Sequence, residues 1–227
     1  LKADIKQIEC NEYEYYQNDR WIGFITNQNT NYSDTNKFNE WINTGLSEHA
    51  SIATFSKFNL ELMSIGAPLW LIQLANNAAS DEIRHTQIAL DIANTMNHND
   101  NFCVKPNIFP SHEINIDGDW NKISLDVAIG GCFGETISAL TMESTFDNII
   151  DEYIHSISMD EVRHSALAWT TIKWMIDNKQ DGMNMDVSDR KWWERQIKNR
   201  KYNAGSKQRE IYNDIIAAIV DKLWLDV

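Results

Sequence analysis

Two Glu-x-x-His pairs, Glu82 with His85 and Glu161 with His164, are the residues of this chain best equipped for chemistry. They sit in nearly identical pentapeptides, Asp-Glu-Ile-Arg-His at 81–85 and Asp-Glu-Val-Arg-His at 160–164. On a helix, residues three apart stand one above the other, so each carboxylate and imidazole can reach a single metal ion, and two pairs point to two ions. The neighbours are apolar: Ala78, Ile83, Ala89 and Leu90 around the first pair, Ile157, Val162, Ala166 and Leu167 around the second. A carboxylate or imidazole among such residues needs a compensating partner. A buried salt-bridged network is the competing reading of both pairs.

Four helices are expected to position these pairs. From the capping residues Asp34 and Thr35, the apolar series Phe38, Trp41, Ile42, Leu46, Ile52, Phe55, Phe58, Leu62 and Ile65 runs at helical spacing to Gly66. Pro68 then opens a second helix through Trp70, Leu74, Ala78, Ile83, Ile88 and Ile92 to about Met96. Residues 97–123, with Pro106, Pro110 and Gly118, read as a long connection. A third helix starts near Ser124 and carries Val127, Ile129, Phe133, Ile137, Leu140 and Phe146. Its Gly130, Gly131 and Gly134 each cost roughly 1 kcal/mol against alanine, so a close approach to that backbone is expected. The fourth helix runs from Asp147 or Asn148 to about Asn178.

Two further carboxylates fall level with the pairs. Glu48 lies 18 residues before Gly66 and Glu82 lies 16 after it; Glu135 and Glu161 each lie 13 residues from Asn148. At about 1.5 Å of rise per residue, each lone Glu meets its pair to within roughly 3 Å.

Composition agrees with one globular core. The 227 residues are 43% hydrophobic and 11% aromatic, with no long apolar run that would span a membrane and no apparent signal peptide. The net charge of -13 argues against nucleic-acid and anionic-membrane partners. Cys10, Cys103 and Cys132 are too scattered for a disulfide framework, which fits a cytoplasmic chain. Three segments are expected: a lead-in at 1–34, a helical bundle at 35–180, and a C-terminal helical extension at 181–227. The extension contains Trp192, Trp193, a solvated basic run Lys198–Lys201, and an amphipathic helix with Ile211, Ile215, Ile216, Ile219 and Leu223 that packs on the bundle.

The constellation resembles the ferritin-like di-iron carboxylate proteins, in which two helices each give a Glu and the other two each give a Glu-x-x-His. The resemblance covers roughly residues 38–178, on Ser47–Ser51, Asp81–His85, Gly134–Thr136 and Asp160–His164, and is to a bacterial ferritin-like branch. It implies an all-α fold, a ferritin-like four-helix bundle with one long crossover connection plus the C-terminal helical extension. It further implies that Glu48 and His85 complete one iron, Glu135 and His164 the other, and Glu82 and Glu161 bridge the two. Carboxylates with one imidazole per metal suit iron, manganese or a mixed pair better than structural zinc. Asp81 would accept the free ring N–H of His164, and Asp160 that of His85, with Arg84 and Arg163 balancing these aspartates. Cys132, Ala139, Met142 and Glu143 are candidates to line a cavity, with Ala78, Ala89 and Ala168 leaving space. His49, about 100° around the helix from Glu48, is read as structural or as an outer partner of the ligands.

The activity implied is that of an O2-dependent oxidase or oxygenase acting on a small molecule or peptide, with O2 as co-substrate and an unidentified electron donor, in a monomer or homodimer. The alternatives are a ferroxidase or iron-handling protein, a rubrerythrin-like peroxidase, which lacks its Cys-x-x-Cys module here, and a tRNA hydroxylase, which the acidic balance disfavours.

Overall fold

A computed structural model describes residues 35–96, 115, 116, 118–141 and 148–224. The lead-in, most of the 97–123 connection, Met142, Glu143, Cys10 and Cys103 lie outside the described residues. The fold is all-α, with no strand among the described residues. Its elements are α1 (Thr35–Ser64), α2 (Leu69–Met96), α3 (Trp120–Asp126), a π-helical segment (Val127–Glu135) and α4 (Thr136–Thr141). They are followed by α5 (Asn148–Asn178), a 3-10 turn (Asp186–Ser188), α6 (Arg190–Asn203), α7 (Ser206–Glu210), a second π segment (Ile211–Ile216) and α8 (Ala217–Lys222). The chain divides into two compact units, one made of the described residues of Leu1–Lys57 and Ala79–Asn115, the other of those of Phe58–Ala78 and Ile116–Val227.

The turn between α1 and α2 follows from Gly66 and Pro68. Gly66 takes φ +70, a left-handed conformation that favours glycine. The Gly66 N–H donates to Met63 O and the Ala67 N–H to Leu62 O, the paired bonds of a Schellman cap, with Leu62 and Ala67 both buried. The Pro68 carbonyl then accepts from Leu71, starting α2.

α1 buries the expected face, Phe38, Trp41, Ile42, Leu46, Phe55, Phe58, Leu62 and Ile65. α2 does not. Trp70, Leu74 and Ile83 are exposed, and the buried stripe is Leu71, Ala75, Ala78, Glu82, His85, Ala89 and Ala93. Because the inward face of α2 carries the two candidate ligands among alanines, its opposite face is the more apolar in letters. On α5, likewise, Val162 and Ala166 face outward while Ile157, Leu167, Ala168, Ile172 and Met175 are buried.

The third helical stretch starts at Trp120, four residues before the expected Ser124, because Asp119 caps it by accepting from the backbone N–H groups of Asn121 and Lys122. Nine residues later than Asp126 it has passed through a π segment, whose wider turn places residues five apart on one face. Val127 with Cys132 and Ala128 with Phe133 are therefore buried, while Ile129 and Leu140, expected inside, are exposed. Trp120–Thr141 is long and apolar enough to cross a membrane by length and composition, yet its Ile123, Ala128, Cys132 and Phe133 are buried in protein.

Of its three glycines only Gly131 meets a close neighbour. A Cβ there would stand 2.5 Å from the Ala168 Cβ, whereas at Gly130 it would meet nothing within 4 Å. Gly131→Ala is therefore expected to destabilise the fold by about 1–3 kcal/mol, since neither backbone can yield cheaply. Gly130→Ala should stabilise it by about 0.5–1 kcal/mol. Urea midpoints of the two variants check both signs.

The C-terminal elements gather around Trp193, which is fully buried. Its ring stacks on Trp169 at 5.3 Å, meets Trp192 edge-on at 5.0 Å and tilts against Phe133 at 5.6 Å, and its indole N–H donates to Val187 O at 2.8 Å. The run Lys198–Lys201 is only partly a solvated face: Arg200 lies over the Phe133 ring, 4.7 Å from its centroid, and Lys201 bonds Asn213. The π segment at 211–216 buries Ile211 and Ile216, five apart, and leaves Ile215 exposed.

Candidate metal centre

In the first unit, α1 presents Glu48 and α2 presents Glu82 and His85. Their ligand atoms lie within 4.8 Å of one another. His85 Nδ1 is 3.7 Å from Glu48 Oε2 and 3.8 Å from Glu82 Oε2, beyond hydrogen-bonding reach. Two donors held by one ion at about 2.0–2.2 Å each stand at separations of up to roughly 4 Å, which these distances match. The His85 side chain is fully buried, and Glu82 nearly so. The two helices come close at this level because of Gly45, where a Cβ would stand 2.6 Å from Leu90 Cδ2 and 3.4 Å from the Ala89 Cβ.

In the second unit, Glu135 ends the π segment and α5 presents Glu161 and His164, again with ligand atoms within 4.8 Å. His164 Nδ1 lies 3.7 Å from Glu161 Oε1, and both side chains are buried. Three contacts fix one antiparallel register here: Gly131 against Ala168, Thr136 with Ser165, and the Ser158 hydroxyl donating to Ala139 O at 3.2 Å. In that register Glu135 stands opposite His164. The six residues picked out by spacing thus fall into two groups of two carboxylates and one imidazole, each mostly buried and each able to hold a metal ion.

The flanking residues sort as follows. Arg84 bonds Asp81 at 3.3 Å and Arg163 bonds Asp160, each three residues along the same helix. Asp160 is buried while the Arg163 side chain is more than half exposed, leaving the carboxylate on the inner side of α5. His49 is half-buried, and desolvation lowers its pKa, favouring the neutral ring. Ala139 and Cys132 are buried; Ala89 and Ala168 are residues that a Cβ at Gly45 and at Gly131 would meet, at 3.4 and 2.5 Å.

Burial pushes the Cys132 thiol well above its ordinary value. The thiolate is the reactive form, so Cys132 is expected to react with iodoacetamide at least about 100-fold more slowly in the folded chain than in urea. Peptide mass spectrometry of the alkylated protein checks this; equal rates would contradict it.

Spacing alone did not single out the hydroxyl residues that follow the ligands. Thr136 follows Glu135, Ser165 follows His164 and Thr86 follows His85, and all three are buried. A signal was present for two of them, since both pentapeptides continue into a hydroxyl residue, Thr86 and Ser165.

No protein-family model matches the chain, and no curated protein or solved structure matches it either.

Proposed function

We propose that this chain is a non-haem di-iron protein of ferritin-like four-helix architecture that uses O2 to oxidise a small organic molecule or a peptide. The observation that carries the proposal is the duplicated cluster: two mostly buried groups, each of two Glu and one His, from sequence positions that an antiparallel arrangement brings level. Glu48 and His85 would hold one iron and Glu135 and His164 the other, with Glu82 and Glu161 shared between them. When bound, a ferrous pair supplies electrons to O2. The chain's own residues set the conditions for this. Buried Glu82, His85, Glu161 and His164 keep bulk water from the donors, and Asp160 and Asp81, each tied to its arginine, are the carboxylates closest in sequence to the ligands that can orient an imidazole. The same reading includes a cytoplasmic monomer or homodimer, an electron donor, and manganese or a mixed pair as alternative metals.

The proposal is tested by loading the protein anaerobically with ferrous iron, admitting O2 and following O2 uptake with excess iron or with added reductant and candidate metabolites. Uptake that continues with reductant and accelerates with one metabolite is expected. Continued oxidation and retention of iron far beyond the bound pair would replace the reading with iron handling.

A further inference from the structure

We infer that Thr136, Ser165 and Trp169 form a positioning device for the Glu135–His164 half of the metal centre, an inference that rests on the metal reading above. The Thr136 and Ser165 hydroxyl oxygens are 2.6 Å apart, buried, and link α4 to α5. The Trp169 indole N–H donates to the same Thr136 oxygen at 3.1 Å. An indole N–H only donates, so it fixes Thr136 Oγ1 as its acceptor, while the hydroxyl–hydroxyl bond can run in either direction.

The placement gives this link its leverage. Thr136 directly follows Glu135 and Ser165 directly follows His164, so one short bond joins the backbones beside both ligands. Glu135 also closes a π segment, and Thr136 opens regular helix, so the bond lies where the helix changes pitch and the ligand's direction is set. Trp169 is held in turn by its stack on buried Trp193, which ties the link to α6. In the first unit the corresponding hydroxyl, Thr86, donates to Glu82 O within its own helix at 2.8 Å. Metal donors tolerate displacements of only about 0.5 Å, so loosening this link should act on one half of the centre.

The test is anaerobic equilibrium dialysis of the full chain against ferrous iron, for wild type, Thr136→Val and Thr136→Ser. Thr136→Val is expected to keep one iron at wild-type affinity and to bind the other roughly 10–100-fold more weakly, and Thr136→Ser to restore it. In a His164→Ala background Thr136→Val should weaken nothing further, a result that general loosening of the fold would not give. Ser165→Ala breaks the same bond and serves if the valine variant does not fold by circular dichroism. Both irons bound as tightly as in wild type, or both weakened equally, would overturn the positioning role while leaving the metal reading intact. Wild type that binds no iron would overturn the metal reading itself, and this inference with it.

Discussion

Replacing Glu161 by Ala is expected to strip most of the iron from both positions, leaving well under one of about two equivalents per chain. The reason is the shared role assigned to this carboxylate. Glu161 lies buried on α5 beside His164 and within reach of Glu135 at the end of the π segment, and as a bridging ligand it would serve both ions, so its loss removes a negative charge and a donor from each. Glu135→Ala is the control: a ligand of one ion should cost about one equivalent. Elemental analysis after anaerobic loading and dialysis reads both. If Glu161→Ala loses a single equivalent while the other binds normally, the clusters are two separate sites and the bridging assignment fails.

Trp193→Ala is expected to produce the largest loss of stability, about 3–5 kcal/mol, because it empties a fully buried indole site. The ring contacts with Trp169, Trp192 and Phe133 and the bond to Val187 O all disappear together, and the carbonyl is left without its donor. In a chain of this size that corresponds to a fall in Tm of roughly 6–20 °C. Trp193→Phe, which keeps most of the stacking, should lose markedly less. Calorimetry of the two variants decides; a loss below about 1 kcal/mol for Trp193→Ala would mean that the C-terminal elements are not anchored through this residue.

Local chemistry made much of the helical layout legible. Gly66 and Pro68 marked a turn because one favours the left-handed region and the other lacks the N–H that would continue the preceding helix, and α1, α2 and α5 end close to where their periodic residues stop. The six candidate ligands were legible for a different reason: Glu-x-x-His written twice is rare enough in an apolar helix to stand out from it. Inward faces were harder to read. In α2 the ligands and alanines occupy the buried stripe, so counting apolar letters selected Trp70, Leu74 and Ile83, which are exposed. The π segment was not legible, because a helical period presumes a constant pitch; once the pitch widens at Val127, Ile129 and Leu140 turn outward and Ala128 turns inward, while Cys132 is buried as its reading as a cavity residue allowed. Of the three glycines, Gly131 alone is required by packing, a distinction that depends on Ala168 lying opposite it, some 37 residues away in sequence. The Thr136–Ser165–Trp169 link depends on the same tertiary register and was therefore invisible one helix at a time.

The proposed reading takes the two groups of two carboxylates and one imidazole as the ligands of one iron pair. It is tested most directly by counting metal in freshly purified, anaerobically iron-loaded protein and in the Glu82→Ala/Glu161→Ala double variant. The account predicts about two irons per chain in the first and almost none in the second. Iron retained undiminished by the double variant, or none in the wild type, would contradict it.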